Sequence, residues 1–197
     1  MQPTMRVIAG QAHGQRLRAP RGLATRPATA RVRESIFSRL AVRIDLAGIR
    51  VLDVFAGSGS LGIEALSRGA AHTTFIDSSR AAASAITSNL VRMGLRSRAR
   101  VMVQEVRSAL RELDAARARF DLVFVDAPYR KDISAEVLRL LADGGLISPG
   151  GWIVIRQYTR APGPPVACGG LDEPLTATIG DHRIAFYRRP ETAPGEG

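Results

Sequence analysis

Cysteine and histidine are scarce in this sequence. It has one cysteine, Cys168, in 197 residues, so an internal disulfide bond cannot form. The three histidines, His13, His72 and His182, do not have the spacing of zinc ligands. These absences exclude a disulfide-stabilised scaffold, and we expect no metal site.

Long apolar runs are also absent, although 45% of the residues are hydrophobic. No stretch reaches the length of about 18 apolar residues that suggests a transmembrane helix. The N-terminus lacks the basic segment followed by an apolar stretch that marks a secretory signal. We therefore expect a cytoplasmic protein that does not bind membranes, and 197 residues suffice for one domain with a sizeable core.

Acidic residues are few in the N-terminal quarter of the chain. The first 50 residues contain ten arginines but only two acids, Glu34 and Asp45, which is a net charge of +8 out of +10 for the whole chain. This concentration of positive charge favours a polyanionic partner, most commonly nucleic acid. A solvated basic surface without a partner is the alternative that charge alone leaves open.

Residues 1–47 are predicted to form a basic N-terminal extension. The segments "MRVIAG" and "GQRLRA" contain glycine at their boundaries and predict a β-hairpin. A basic connection rich in proline and glycine, "PRGLATRP", follows. A helix is predicted next, because Thr29 is a suitable N-cap and apolar residues then recur at helical spacing, at Val32, Ile36, Phe37 and Leu40.

Residues 48–189 are predicted to form the main domain. Short β-rich runs alternate there with amphipathic segments, which is typical of a parallel sheet with right-handed crossovers and helices on both faces. The predicted strands are Arg50–Val54, Thr73–Ile76, Arg100–Val103, Leu122–Val125 and Trp152–Gln157. The predicted helices are Leu61–Arg68, Arg80–Met93, Val106–Ala116 and Ile133–Ala142.

The main domain is predicted to end in an antiparallel hairpin, in which "LTATI" and "HRIAFYR" flank the two-residue turn Gly180-Asp181. These two strands complete a seven-stranded, mostly parallel α/β sheet of the Rossmann type whose last strand is antiparallel. Residues 190–197, "PETAPGEG", are predicted to be a disordered tail.

A glycine-rich turn follows the first strand of the main domain. In "VLDVFAGSGSLG", Asp53 stands at the strand end, and three glycines have the G-x-G-x-x-G spacing of nucleotide-binding folds. Glycines permit a tight turn there and let a ligand approach the helix N-terminus closely. A simple turn can use the same residues. The candidate cofactor-binding residues of this turn are Phe55, Ala56, Gly57 and Gly59.

The acidic residues favour S-adenosylmethionine over a dinucleotide as the ligand. Asp77 ends the next strand, 20 residues after Gly57, where a carboxylate can accept hydrogen bonds from a ribose diol. Asp53 would repel a pyrophosphate but suits a cationic amino group. S-adenosylmethionine has an ammonium group, a ribose and no phosphate, and Ser78 is included with Asp77 in its predicted site.

The residues after the third strand are candidates for binding the adenine of the same cofactor. The Glu105 carboxylate can accept from the adenine amino group while the backbone N–H of Val106 donates to the ring. Two simpler roles stay open at this point. Asp77 can be the N-cap of the helix that begins near Arg80, and Glu105 can be an acid that complements a helix dipole.

The fourth strand ends in "LVFVDAPYR", which contains the turn Asp126, Ala127, Pro128 and Tyr129. In an open α/β sheet the fourth strand lies beside the first, so this turn should face the glycine-rich turn. The Asp126 carboxylate and a backbone carbonyl can accept both N–H groups of an exocyclic amine and align its nitrogen with a methyl donor. Pro128 restricts Ala127 to an extended conformation, and Tyr129 offers a ring for base stacking. An ordinary Asp-x-Pro turn is the alternative.

Together these motifs resemble the class I S-adenosylmethionine-dependent methyltransferases, and more closely the bacterial 16S rRNA guanine-N2 methyltransferases. The resemblance extends from Met5 to Arg189 and includes "MRVIAG" with "GQRL", "TRPATARVRESIF", "DVFAGSGSLGIEALSRGA" and "FVDAPY". It implies methylation of N2 of one guanine in 16S rRNA, within an assembling or assembled small ribosomal subunit. We expect a monomer in which residues 126 to 129 engage the guanine. The resemblance also implies that rRNA is contacted by Arg6, His13, Arg16, Arg18, Arg26, Arg31 and Arg33.

The sequence departs from that family pattern at three places. Ala127 stands where a second proline is usual, Ala28 and Ala30 stand where polar residues are usual, and Glu105 stands where a shorter polar residue is common. Pro128 still restrains Ala127, so we expect activity to be retained.

Other functions match parts of the pattern. Methylation of adenine N6 in DNA or RNA uses the same arrangement of Asp, Pro and an aromatic residue, and physical reasoning alone does not choose the amine. An NAD-dependent oxidoreductase would need a second substrate domain, which the chain lacks, and would place Asp53 beside a pyrophosphate. A non-catalytic RNA-binding module would leave the three acids at strand ends without a purpose, namely Asp53, Asp77 and Asp126.

Overall fold

A computed structural model of the chain describes residues 5–20, 29–127, 133–161 and 168–191. Within these ranges it contains nine strands, five α-helices and a short 3-10 turn at Arg96–Arg98. The strands are β1 (Met5–Arg6), β2 (Arg16–Leu17), β3 (Arg50–Val54), β4 (His72–Asp77), β5 (Ala99–Val103), β6 (Phe120–Val125), β7 (Ile147–Tyr158), β8 (Leu175–Ile179) and β9 (His182–Arg188). The helices are α1 (Ala30–Leu40), α2 (Ser60–Ser67), α3 (Arg80–Arg92), α4 (Val106–Ala115) and α5 (Ile133–Asp143).

Strands β3 to β9 form one seven-stranded sheet in the spatial order β5-β4-β3-β6-β7-β9-β8. Neighbouring strands from β5 to β7 are parallel, whereas β9 is antiparallel to both β7 and β8. The predicted fold class, a mostly parallel α/β sheet with an antiparallel last strand, is confirmed. The antiparallel strand lies between β7 and β8 because the closing hairpin docks onto the sheet through β9.

The largest difference from the predicted strand boundaries is in β7. This strand begins at Ile147, five residues before the predicted start at Trp152. Ile147 pairs with Phe120 and Trp152 pairs with Leu122, so β7 has three more residues than β6 in this stretch. The segment "SPGG" suggests a turn in the sequence, but the strand accommodates it as a bulge-like irregularity.

Helices cover both faces of the sheet, as the crossovers require. On one face, α4 and α5 bury their apolar residues against β3, β6 and β7, including Leu110, Leu113, Leu138 and Leu141. On the other face, α1, α2 and α3 form a second apolar cluster with the sheet. The strands between these layers are buried on both sides, which explains their nearly continuous apolar sequences.

The N-terminal extension shares the second of these apolar clusters. Strands β1 and β2 pair over two residues each, and Val7, Ala12 and Leu17 from the hairpin are buried in the cluster. Helix α1 packs on the same face, where the Phe37 ring lies 5.7 Å from the Phe124 ring of β6. The division at residue 47 stays a prediction, but the extension and the sheet bury a common core. Residues 192–197 of the predicted tail lie outside the described residues.

A buried glutamate on α2, Glu64, anchors the hairpin by hydrogen bonds to its backbone. The Glu64 side chain has no solvent exposure, and its two carboxylate oxygens accept the backbone N–H groups of Ile8 and Ala9 at 2.8 and 3.0 Å. One of them also accepts from Arg68 Nε at 2.8 Å. The hairpin is therefore held by charge-assisted hydrogen bonds as well as by apolar packing.

Helix α1 contains a buried arginine, contrary to the sequence prediction. Its N-cap is confirmed, because Thr29 Oγ1 accepts from the Val32 backbone N–H at 3.3 Å. Arg33, predicted to contact RNA, is fully buried and donates to the Arg6 carbonyl at 2.5 Å. Burial lowers the pKa of Arg33, and the charge of Glu64 partly opposes this shift. The prediction that Arg33 contacts RNA is wrong, since this residue lies on the core-facing stripe beside Val32.

Replacing Gly10 with alanine is expected to destabilise the protein more than replacing Gly14. Both glycines have a left-handed backbone, with φ of +82° and +77°, so both substitutions introduce similar backbone strain. A Cβ at Gly10 would lie 1.8 Å from the Ser67 carbonyl oxygen, whereas nothing lies within 4 Å at Gly14. The clash should cost Gly10→Ala about 1–3 kcal/mol beyond the control, measured by urea denaturation. Equal losses would show that the hairpin does not dock on α2 as described.

Candidate active site

The candidate site lies at the carboxyl ends of the parallel strands, where β3 separates β4 from β6. Val54 pairs with Val125, so the turns that follow β3 and β6 leave the sheet side by side. The Asp126 backbone N–H also donates to the Val54 carbonyl at 3.3 Å. This is the switch point of the strand order, which is where open α/β sheets bind their ligands.

The turn after β3 has an unusual backbone conformation and leads into a closely packed helix. Phe55 has a φ of +60°, a left-handed conformation that a non-glycine residue adopts rarely and most often at functional turns. Gly62 lies in the first turn of α2, where a Cβ would lie 2.4 Å from the Phe75 ring. The absence of a side chain at Gly62 therefore lets α2 approach β4 closely, which fixes the helix N-terminus beside the strand ends.

Asp53 is buried beneath this turn and is hydrogen-bonded to the first turn of α2. Its side chain is 1% exposed, and its carboxylate accepts from the Gly62 backbone N–H at 2.9 Å. Burial raises the pKa of Asp53 well above its usual range; the hydrogen bond from Gly62 opposes this shift, and the negative charges of Asp126 and Asp77 add to it. A cationic ligand near these three carboxylates would be stabilised by them.

Asp77 connects the same turn to β4. One carboxylate oxygen accepts from the Gly57 backbone N–H and the other from the Ser79 backbone N–H, both at 2.8 Å. Ser79, not Asp77, is the N-cap of α3, because its hydroxyl accepts from the Ala82 backbone N–H at 3.3 Å. The alternative role of Asp77 as the N-cap is therefore wrong. Ser78 beside it is exposed.

In this structure Glu105 is at the start of helix α4, which is the simpler of the two roles considered for it. It is the N-cap of α4 and accepts from the Ser108 backbone N–H at 3.2 Å, while Val106 is buried at the start of the helix. The Glu105 side chain is about half exposed and also lies 3.3 Å from Arg107. Its predicted contact with adenine stays a prediction.

Asp126 forms an ion pair that the sequence analysis missed. Its Oδ1 atom accepts a hydrogen bond from Nε of Arg156 on β7 at 2.6 Å, and Nη2 of the same arginine lies 2.6 Å from Oδ1 in the ion pair. The Arg156 side chain is 8% exposed. A charged residue inside the apolar strand "WIVIRQY" was the available signal, since an arginine buried in a strand needs a partner.

The remaining predicted site residues fall into three groups. Ala127 is half-buried beside Asp126, whereas Pro128, Tyr129 and Arg26 lie outside the described residues. Exposed side chains on the hairpin and α1 include five of the predicted RNA contacts, Arg6, His13, Arg16, Arg18 and Arg31. The described ranges contain no group of three side chains placed to hold a metal ion, and no helix in them has the length and apolarity to cross a bilayer.

The sheet order is that of the class I methyltransferase fold, and a solved structure 33% identical to this chain carries a methyltransferase name. S-adenosylmethionine, the cofactor predicted from the sequence, is the methyl donor of this class. The family described as Conserved hypothetical protein 95 matches residues 5–188, and the chain belongs to that family.

Similar proteins and solved structures carry methyltransferase names. The Bacillus subtilis protein YlbH, which carries an rRNA methyltransferase name, is 36% identical over 185 residues, covering 94% of this chain and 99% of YlbH. Ribosomal RNA small subunit methyltransferase D of Escherichia coli K12 is 39% identical over 145 residues, which cover 73% of this chain and 70% of that protein. A solved structure from Escherichia coli, named as the methyltransferase yhhF, is 33% identical with a TM-score of 0.79 and covers 96% of this chain and 99% of its own.

Proposed function

We propose that this protein transfers the methyl group of S-adenosylmethionine to the exocyclic N2 of one guanine in 16S rRNA of the small ribosomal subunit. The observation that carries the proposal is the position of Asp126, which stands beside the glycine-rich turn with a carboxylate oxygen available for an amine. The relatives named for small-subunit rRNA methylation support the choice of substrate.

The residues of the site fit the cofactor. The negative charges of Asp77 and Asp126 both act on buried Asp53, and such a site favours a cation. Asp77 lies where a ribose would be bound. In the turn formed by residues 55 to 59, Gly57 and Gly59 have no side chain, so a ligand can approach the backbone there. When bound, S-adenosylmethionine supplies an electrophilic methyl group on a positively charged sulfur.

The acceptor residues hold and orient the amine. The lone pair of an exocyclic amine is delocalised into the base, so the amine is a poor nucleophile. The Asp126 carboxylate and the Ala127 carbonyl accept its two N–H groups, which favours pyramidal geometry and fixes the direction of the lone pair. By the family resemblance, Pro128 restrains Ala127 and Tyr129 stacks on the base.

The hairpin is proposed to bind rRNA beside this site. Arg16 and Arg18 have exposed side chains, but their backbones are fixed by α3. The Arg16 carbonyl accepts from Arg92 at 2.8 Å, and the Arg18 N–H and carbonyl pair with the Asn89 side chain, both at 3.0 Å. The Asn89 amide also lies 3.5 Å from the Ser58 carbonyl of the glycine-rich turn, so the basic hairpin adjoins the cofactor site.

The proposed function is tested by methyl transfer in vitro. The protein, which we propose acts as a cytoplasmic monomer, is incubated with tritiated S-adenosylmethionine and small subunits that lack the modification, and the RNA is then hydrolysed to nucleosides. Tritium in N2-methylguanosine is the expected result. Tritium in N6-methyladenosine would favour the adenine alternative, and an absence of label with free rRNA, assembly intermediates and finished subunits would reject the proposal.

Replacing Arg16 and Arg18 together with alanine is expected to weaken binding of small subunits and to reduce its salt dependence. Each lost phosphate contact lowers the slope of log affinity against log salt concentration by about 0.7–0.9. The matched control replaces Arg111 and Arg139, which lie on α4 and α5 on the opposite face of the sheet. Filter binding at several salt concentrations measures both slopes.

Point substitutions are preferable here to removal of the hairpin, because truncation would also remove Val7, Ala12 and Leu17 from the core. A slope that falls equally in the control pair would show that the hairpin has no special part in RNA binding.

A further inference from the structure

The end of strand β7 carries a buried arginine with two different partners. Val125 of β6 pairs with Ile155 of β7, so the next residues, Asp126 and Arg156, leave the two strands side by side. Both contacts from Arg156, through Nε and Nη2, reach the same carboxylate oxygen, Oδ1. In the described part of the chain, Oδ2 is therefore the oxygen left to accept a hydrogen bond from a substrate.

A second group fixes the arginine from the other side. Arg156 Nη1 lies 3.3 Å from His182 Nδ1 on β9. A guanidinium has only donors, so Nδ1 must be the accepting nitrogen of a neutral imidazole. The pKa of His182 is lowered by its burial and by the charge of Arg156, while Asp126 and Asp181 partly oppose this shift, which is consistent with a neutral ring. The Tyr158 ring packs against His182 with a centroid distance of 4.3 Å.

The charges near Asp126 indicate that its ion pair with Arg156 does more than fill space between the strand ends. The negative charges of Asp126 and Asp77 both add to the raised pKa of buried Asp53, so acidic groups are concentrated at this end of the sheet. Arg156 supplies the positive charge that pairs with Asp126 there. The Arg156 guanidinium is planar and rigid, so the hydrogen bond from Nε and the ion-pair contact from Nη2 hold Oδ1 in place and leave Oδ2 without a hydrogen bond from the guanidinium.

We infer that Arg156 is a positioning residue: it holds Asp126 so that Oδ2 faces the amine to be methylated, and His182 with Tyr158 holds Arg156. The inference rests on the proposed function, because it assigns a role within the same site. Arg156 itself touches neither cofactor nor base. Its loss should therefore slow turnover without weakening the binding of either.

The test compares Arg156→Met and Arg156→Lys with the wild-type protein. A misplacement of about 1 Å in an active site can cost roughly 10²-fold, so kcat per cofactor-binding molecule should fall by that order in Arg156→Met. The KM for small subunits and the calorimetric Kd for S-adenosylmethionine should stay within about two-fold. Arg156→Lys, which restores one cationic donor, should recover part of the lost kcat.

Arg188→Met is the control, because Arg188 pairs with Trp152 at the opposite end of β7 and contacts the exposed Glu191. Its kcat should be unchanged. Normalising to the molecules that bind cofactor removes any loss caused by misfolding. An unchanged kcat in Arg156→Met, or a KM that rises while kcat holds, would overturn the inference.

A crystal structure of Arg156→Met tests the inference apart from activity. The Asp126 carboxylate should rotate away from its wild-type position, and a carboxylate that stays in place would overturn the inference. If the wild-type protein methylates no RNA, the proposed function fails. That failure is distinguishable from a failure of the Arg156 inference, because the crystal structure gives the position of the Asp126 carboxylate without any substrate.

Discussion

Asp126→Ala is expected to lower turnover by about 10²–10³-fold or more while the affinity for S-adenosylmethionine stays within a few-fold. In the proposed mechanism, alanine removes the oxygen that would accept an N–H of the amine, and it leaves the Arg156 guanidinium buried without its carboxylate. The amine then loses its orientation and its nitrogen lone pair stays delocalised. In the proposed site, cofactor binding depends mainly on the turn after β3 with Asp53 and Asp77. The charge of Asp126 is paired with Arg156, so its loss should change cofactor affinity only a few-fold.

Asp121→Ala is the matched control for this substitution. Asp121 lies on the same strand, near its other end, where its carboxylate accepts from the Arg50 backbone N–H at 2.8 Å. Single-turnover transfer of tritium to small subunits measures the methylation rate, and calorimetry measures cofactor affinity. Normal turnover in Asp126→Ala, or an equal loss in Asp121→Ala, would contradict the role of Asp126.

Glu64→Gln is expected to lower the free energy of unfolding by about 3–5 kcal/mol. The glutamine amide would place a donor opposite the backbone N–H of Ile8 or Ala9, each of which now donates to a carboxylate oxygen. It would also remove the Glu64 charge, which acts on buried Arg33 and pairs with partly buried Arg68. The loss corresponds to a fall in Tm on the order of 10 °C for a chain of this size.

Glu112→Gln is the control for Glu64→Gln. Glu112 lies on α4 and is about half exposed, and it contacts Arg100 at 2.7 Å and Gln104 at 2.9 Å. An exposed ion pair of this kind contributes about 0–1 kcal/mol, so the control should unfold almost as the wild-type protein does. Thermal and urea denaturation measure both variants. Similar small losses in the two would show that the hairpin is not anchored through Glu64.

Much of the fold was predictable because its sequence patterns are local. The bounds of β3, β8 and β9 agree with the prediction, since a β-rich run or a two-residue turn at Gly180-Asp181 defines each of them. The early start of β7 at Ile147 was missed because Pro149 and Gly150 suggest a turn unless their pairing partner is known. A bulge of this kind depends on the neighbouring strand, which local sequence does not specify.

The strand-end acids of the candidate site were also predictable. In a parallel sheet the carboxyl ends of neighbouring strands meet, so Asp53, Asp77 and Asp126 could be placed together from their order in the chain. The buried arginines could not be placed in this way. Arginine is usually exposed, and whether Arg33 or Arg156 is buried depends on partners in distant segments, here Arg6 and Asp126.

The central claim is that the turn after β3 and the turn after β6 form one site for cofactor and amine. A crystal structure with bound S-adenosylhomocysteine, the demethylated cofactor, tests this most directly. The account predicts the ligand along the glycine-rich turn, with its ribose at Asp77 and its sulfur on the side of Asp126. A ligand bound elsewhere on the protein, or one whose sulfur points away from Asp126, would contradict the claim.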